Sequence, residues 1–514
     1  MAYAINSKKI ATNTIALYLR LGVTMIISFF MTRVMLQQLG VEDYGLNNLV
    51  GSIVSMFSFI NGSMGTAVQR FYSVEIGKGD QERLGRVFGV GLYLHIIVAA
   101  ITLVLAEIFA VFFLCKMNIP TDRMFAAQVV FQISILSLTL NIVNVPNVAL
   151  LKAREMFSKT ALIEIIQAFL RLGVLYLLVH IGYDKLITLS FLNFGITLSY
   201  VASLFFLARR FKETHNWPTR DKELIKQMLT FISMLLVTVL AQLLKTKGIV
   251  ILINLFFGLA INAAYAVAVQ VSHIVKTFAM NFKQPMVPQM MSAYGAGDQA
   301  AMRKIITFGT KVAFLLMLMI SMPVIFEPQF ILTIWLKTPP QHAARLVALV
   351  LIAINISSFT YFLYQGVHAT GKIISQQIWM SSTYVANILI IYIVFKLGGD
   401  FASALYVNMV VGLVQCCVNI YYARKSYGYD VRSFLSHTIL PCILTVSIIA
   451  TVLMVFIKLM SPSVVRFIVV SFTAELLIMV LGYLIVLERN ERKKVLTYIQ
   501  NITASLQKRW SRGS

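Results

Sequence analysis

Along most of this chain, apolar residues come in runs of about twenty, separated by short polar or charged stretches. A helix of that length crosses about 30 Å of hydrocarbon. The runs do not alternate as the strands of a membrane barrel would, and a segment in lipid must satisfy its own backbone hydrogen bonds. The pattern predicts fourteen membrane helices, at 12–36, 46–68, 87–114, 124–150, 159–180, 185–208, 228–255, 259–281, 305–333, 343–367, 373–397, 401–423, 438–460 and 464–487. The expected fold class is all-α membrane protein.

The punctuation between the runs repeats at an offset of 218 residues. Gly40 maps to Gly258, and Gly77-x-Gly79-Asp80-Gln81 maps to Gly295-x-Gly297-Asp298-Gln299. Arg86 falls on Lys304 and Arg154 on Lys372. The first six spans, shifted by 218, nearly reproduce the next six. An even number of helices per copy makes this a parallel repeat about an axis along the membrane normal, a plan many transporters use. The expected organisation is an N-lobe at 1–208, a linker at 209–227, a C-lobe at 228–427, two further helices at 428–487 and a basic tail at 488–514. In that tail Val495, Ile499, Ile502, Leu506 and Trp510 recur at helical spacing among Lys and Arg, which predicts an amphipathic helix on an anionic leaflet. Trp217-Pro218 in the linker suggests a short interfacial helix.

Composition agrees. The 514 residues are 59% hydrophobic and 12% charged, with mean hydropathy +0.81, too little polar surface for a soluble fold. The formal net charge is +24. In a soluble chain that excess would point to nucleic acid; here its distribution assigns it to topology. With the N-terminus inside, inner segments hold 29 Lys and Arg and outer loops 8, so both termini are expected in the cytoplasm and no nucleic-acid partner is expected. Cys115, Cys416, Cys417 and Cys442 have no metal spacing and read as apolar fillers.

Seven basic residues fall inside or at the edge of the spans: Arg20, Arg33, Arg171, Lys245, Lys247, Lys276 and Lys311. A cation at the centre of a membrane helix costs roughly 2.5–3.5 kcal/mol on insertion scales, so it marks a function or a partner. None recurs in the other repeat: Arg20 maps to Thr238, Arg171 to Leu389, Lys245 to Ile27 and Lys276 to Ser58. Scaffold features repeat and these cations do not, which marks them as a site added to a scaffold. For Lys311, Lys276 and Arg33, near helix ends, snorkelling to headgroups competes with a binding role. Arg171 has Glu164 two turns away as an available counter-ion. Arg20, Lys245 and Lys247 lie deeper, and if they converge they form a basic site for an anion such as pyrophosphate. A phosphate oxygen about 4 Å from one such charge gains on the order of 4 kcal/mol at an effective dielectric near 20, before desolvation.

Acids within the spans are few, Glu107, Glu164, Glu327 and Glu475, and spans 1, 7 and 8 have none. That balance favours an anionic cargo over a cationic drug. Asn47, Asn48, Asn144 and Asn254 are expected to form a secondary polar layer for sugar hydroxyls, although helix–helix hydrogen bonds would explain them equally well. The seven histidines are scattered without a paired acid or metal spacing, and no GxxxxGK[ST] loop exists, so no enzyme, metal, cofactor or direct use of ATP is expected.

Leu39-Gly40-x3-Tyr44-Gly45-Leu46, Arg70, the Gly77-x-Gly79-Asp80 loop and Phe257-Gly258 together resemble the polysaccharide transporter family, the oligosaccharide flippases of the multidrug/oligosaccharidyl-lipid/polysaccharide exporter superfamily. The likeness runs over roughly residues 10–425 and, in helix count, over the whole chain. It implies two six-helix lobes around a V-shaped cavity that opens alternately to either face. The implied cargo is a polyprenyl-pyrophosphate-linked oligosaccharide for surface polysaccharide synthesis, with a glycan polymerase or ligase as downstream partner. It also implies cations in helix 1 and in helix 7 or 8, positions that Arg20, Lys245, Lys247 and Lys276 occupy. Lipid II flippases and cation-coupled multidrug exporters of the same superfamily are the alternatives.

Overall fold

The computed structural model describes residues 6–55, 59–113, 120–180, 182–215 and 218–493. Among them there are helices and no strands. In chain order the helices are α1 (Ser7–Ser55), α2 (Phe59–Lys78), α3 (Gln81–Phe113), α4 (Met124–Ala153), α5 (Phe157–Leu177), α6 (Lys185–Ala208), α7 (Lys222–Lys283) and α8 (Met286–Gly295). They continue as α9 (Gln299–Phe326), α10 (Pro328–Leu336), α11 (Ala343–Ser358), α12 (Tyr361–Thr370), α13 (Ile374–Lys396) and α14 (Ser403–Tyr427). The last three are α15 (Val431–Phe434), α16 (Leu440–Leu459) and α17 (Val464–Leu481).

Thirteen segments among the described residues are long and apolar enough to cross a membrane, and each coincides with an expected span. The remaining expected span, 46–68, contains residues 56–58, which lie outside the described residues, as do Cys115, Trp217 and the whole amphipathic stretch of the tail.

The two repeats share their breaks. The turn expected between the spans 12–36 and 46–68 is instead a single-residue kink: α1 runs into the next helix through Gly40, at φ 77° and ψ 176°. Gly258 does the same to α7, at φ 78° and ψ −174°. Open space surrounds both, so glycine is required there for its positive φ rather than for its size. The span expected at 305–333 also divides. Its helix stops at Phe326 and restarts as α10, whose first residue, Pro328, has no N–H to extend the α9 ladder.

Two compact units make up the chain, Met1–Val239 with Gln284–Ala301 and Leu240–Lys283 with Met302–Ser514. In the first, α2 and α8 cross so closely that side chains are excluded. A Cβ on Gly77 would lie 1.9 Å from the Ser292 carbonyl oxygen, and one on Gly295 would lie 2.1 Å from the Val74 carbonyl oxygen. Positions 74 and 292 are themselves 218 apart, so the crossing is reciprocal. The Ser292 hydroxyl closes it by donating to the Ser73 carbonyl at 2.8 Å. Nearby, Glu155 at the α4–α5 turn accepts from the Gln289 amide at 2.6 Å. Burial raises the Glu155 carboxyl above its ordinary range, against the opposing pull of Gln289 and Lys9.

In the second unit, one core joins both arms of α7 (Ile249 and Ile253, Ala264 and Ala268) to α11 and to Phe395 and Leu405. A second core seats α16 and α17 on α9 through Phe314, Leu318, Ile449 and Val470.

Candidate functional site

The cations of the membrane segments divide between two settings, one in each unit. In the first, Arg20 of α1 is not unpaired: its Nη1 donates to Glu164 Oε2 of α5 at 2.5 Å. Glu164 therefore does not serve Arg171. Seven residues along a helix amount to roughly 10 Å of axial separation, more than the two side chains readily span, whereas α1 lies directly against α5. Arg171 is exposed, and its electrostatic neighbour is Tyr200 of α6. Lys152, in the last turn of α4, feels both Arg20 and Glu164. The group thus sets three cations, Arg20, Lys152 and Arg171, around one carboxylate, with Tyr200 among them. Sequence reasoning leaves Lys152 among the loop charges; its position in the last turn of a helix is the clue that could have found it.

The other first-unit candidates do not join this group. Arg33 and Asn48 have side chains outside the described residues. The Asn47 amide reaches only the Met35 sulfur, at 3.8 Å. Asn144 is buried, and its Oδ1 accepts from Asn147 Nδ2 at 3.0 Å, a contact along one helix.

The second unit holds a different assembly. Lys245 Nζ lies 5.5 Å from the centroid of the Tyr384 ring, within cation–π range. Lys276, on the other arm of α7, is close enough for Lys245 to feel its charge. At the end of α7, Lys283 is buried with its Nζ 4.8 Å over the ring of Tyr361, the first residue of α12. Tyr364 interacts electrostatically with both Tyr361 and Tyr384 and so connects the two lysine–tyrosine pairs. Behind it, Gln377 Nε2 donates to the Tyr364 hydroxyl at 3.0 Å and lies 2.8 Å from His368 Nε2.

No carboxylate pairs with Lys245, Lys276 or Lys283 among the described residues. Lys245 and Lys283 each lie over a tyrosine ring, and Lys276, which is exposed, adds its charge beside Lys245, so this stretch of the unit is strongly positive. Tyrosine faces suit the lysines because they attract a cation without neutralising it. Sequence reading missed Lys283, Tyr361 and Tyr384, whose separations from their partners carry no local periodicity.

Lys247 does not belong to this assembly. Two helical steps place it roughly 200° around α7 from Lys245, on another face of the helix. Asn254 is exposed and makes no contact with the cluster. Lys311 departs from the snorkelling alternative: it is 0% exposed, and its Nζ donates to Glu488 and Glu491, each at 3.0 Å. Of the membrane acids, Glu327 accepts from Arg466 at 2.8 Å and Glu107 from the Gln132 amide at 2.9 Å.

The bundle of apolar helices with kinks at matching glycines defines the fold, and comparison with known proteins gives that fold a name. Residues 21–177 match the MatE family profile. The structure resembles the crystal structure of a MATE point mutant with TM-score 0.70 at 13% identity, covering 82% of this chain and 97% of that one. It also resembles an outward-facing multidrug resistance MATE family transporter of the MOP superfamily, with TM-score 0.67 at 11% identity over 82% of this chain and 95% of that one. A third likeness is to a MOP superfamily transporter from Pyrococcus furiosus Vc1, described as having a binding pocket of reverse polarity; its TM-score is 0.62 at 13% identity, over 81% and 96% of the two chains. The chain therefore has the MATE fold. Among curated proteins, the uncharacterized membrane protein EpsK of Bacillus subtilis (strain 168) is 24% identical over 321 residues, 60% of this chain and 62% of that protein. The chain thus spans under two thirds of the length of the curated relative it matches.

Proposed function

We propose that this protein exports an anionic, polyprenyl-pyrophosphate-linked oligosaccharide across the plasma membrane by alternating access, for surface polysaccharide synthesis. The observation that carries the reading is that Lys245, over the Tyr384 ring with Lys276 nearby, and Lys283, over the Tyr361 ring, have no carboxylate partner among the described residues. Charges kept unpaired at membrane depth are expensive, and a pyrophosphate is the kind of ligand that would offset their cost. In this reading the lysines hold the pyrophosphate, the tyrosine faces lie against the first sugar, and the polyprenyl chain stays in lipid. Both termini are cytoplasmic, residues 1–208 and 228–427 are the two lobes, and a glycan polymerase or ligase consumes the product.

The test is complementation of a strain lacking this gene. Lys245→Ala combined with Lys276→Ala should abolish surface glycan at unchanged protein level on an immunoblot. Normal glycan display by that variant would refute the proposal.

The fold shared with multidrug transporters and the presence of Glu164 favour a second reading, a cation-coupled multidrug exporter. In that case Glu164→Gln would remove drug resistance while the double lysine variant kept it. A lipid II flippase would instead rescue peptidoglycan synthesis when substituted for the resident one.

A further inference from the structure

Away from the lysine–tyrosine cluster, the second unit has a cavity of about 640 Å³ where α14 ends and α16 begins. Sites that hold small organic ligands commonly measure about 300–1,000 Å³, so the space is large enough for a charged headgroup and the start of an acyl chain. Its walls are Leu435, Ile439, Leu440 and Ile443, and its rim carries Arg424 and Arg432. The groove opens where the helix widens into a π-turn, Leu435–Ile439, just before Pro441. Proline has no N–H for the carbonyl of His437 four residues back, which is a local cause of the irregular turn.

The two rim arginines are exposed and make no ion pair among the described residues. The acid between them in sequence, Asp430, is occupied: its Oδ1 accepts from the Ser433 N–H at 3.2 Å and caps α15. The loop beneath them is fixed. Arg303 donates to the Gly428 carbonyl at 2.6 Å, and the Thr307 and Tyr429 hydroxyls meet at 2.8 Å. Two membrane-spanning segments, Ser403–Tyr427 and Val431–Leu459, adjoin at this loop, so the arginines stand at the boundary between hydrocarbon and water with the apolar wall running into the hydrocarbon.

We infer that this groove is a binding site for an anionic glycerophospholipid of the surrounding leaflet. Its phosphate lies between the guanidiniums of Arg424 and Arg432, and an acyl chain runs along Leu435, Ile439 and Ile443. Charge complementarity selects the headgroup: two exposed cations without a counter-ion among the described residues, beside an apolar surface, match a lipid phosphate that carries its own tail. A zwitterionic lipid would bring its choline cation against the same pair.

The test uses the full-length protein in nanodiscs or detergent, with lipid retention read by native mass spectrometry. Wild type should retain phosphatidylglycerol in preference to phosphatidylcholine, and Arg424→Gln with Arg432→Gln should lower that preference about thirtyfold, the sum for two interfacial arginines. Lys304→Gln with Lys372→Gln, which removes two exposed charges elsewhere, should leave it unchanged and controls for net charge. The double arginine variant should elute and melt like wild type in neutral detergent, which separates lost binding from misfolding. Equal retention of the two lipids by wild type would overturn the inference. So would a preference that survives the double substitution, or competition by free glycerol phosphate as strong as by the lipid, since the latter would assign the site to a soluble anion.

Discussion

Replacing Lys311 with Met tests how far α9 depends on a buried charge. The wild-type ammonium is 0% exposed and sits 3.0 Å from a carboxylate oxygen of Glu488 and 3.0 Å from one of Glu491. At that separation and an effective dielectric near 20, each attraction amounts to roughly 5–6 kcal/mol before desolvation. Glu488 is 52% exposed, so solvent screens its share toward the 0–1 kcal/mol or so of a surface pair. Glu491, at 16%, is less screened. Desolvation of the ammonium offsets most of the remainder, so the pair adds little over an apolar substitute; removing one partner is what costs, typically about 3–5 kcal/mol for a buried pair. With one of the two carboxylates free to turn to water, Lys311→Met is expected to cost about 2–4 kcal/mol. Adding Glu488→Gln and Glu491→Gln removes the stranded charge and should restore most of that loss. Thermal unfolding of the purified protein followed by tryptophan fluorescence would check this, with limited proteolysis reporting release of the segment after α17. The expected order of Tm is wild type, then the triple variant, then Lys311→Met well below. The reasoning is refuted if Lys311→Met melts with wild type, or if the triple variant melts no higher than the single one.

The remaining predictions concern the crossing, the site and the α4–α5 turn. Gly77→Ala or Gly295→Ala puts a methyl into a backbone carbonyl that has nowhere flexible to go; each should cost at least about 1–3 kcal/mol, and lower expression or Tm would register it. Lys245→Ala should reduce export about tenfold or more, since 1.4 kcal/mol of lost binding suffices for that, while Lys247→Ala, on the far side of α7, should leave it unchanged; equal loss in both variants would contradict the geometry. Glu155 binds its proton more tightly folded than unfolded, so its contribution to stability is fully present below the unfolded carboxyl pKa, about 4.3, and is lost as pH rises through the raised folded value. Glu155→Gln should therefore flatten the Tm profile across that window and raise Tm above it, and a profile parallel to wild type would count against the burial argument.

The spans were legible because twenty apolar residues in a row have few alternatives, and the places where they break because Gly40 and Gly258 recur at one offset. That the break is one glycine and not a longer turn was not legible: a loop of several residues and a single glycine at positive φ leave similar polar punctuation. The site was legible only as a set of costly cations. Which of them had partners depended on contacts such as Arg20 with Glu164, 144 residues apart, and no periodicity reports that. Lys245 and Lys247 looked like a pair because they are near in sequence, but helix geometry separates them. Lys283 escaped notice because its place at a span end suggested topology, while Tyr361 and Tyr384 were indistinguishable from ordinary core aromatics until α12 and α13 brought them to the lysines.

The reciprocal crossing of α2 and α8 rests mainly on main-chain atoms, which every residue possesses, with the Ser292 hydroxyl contributing a side-chain hydrogen bond. Substitutions elsewhere along either repeat leave such a joint untouched so long as the two glycines and Ser292 persist, so the repeats can differ widely while their punctuation matches. One can then carry lysines and the other an arginine–glutamate pair without loosening the seam they share.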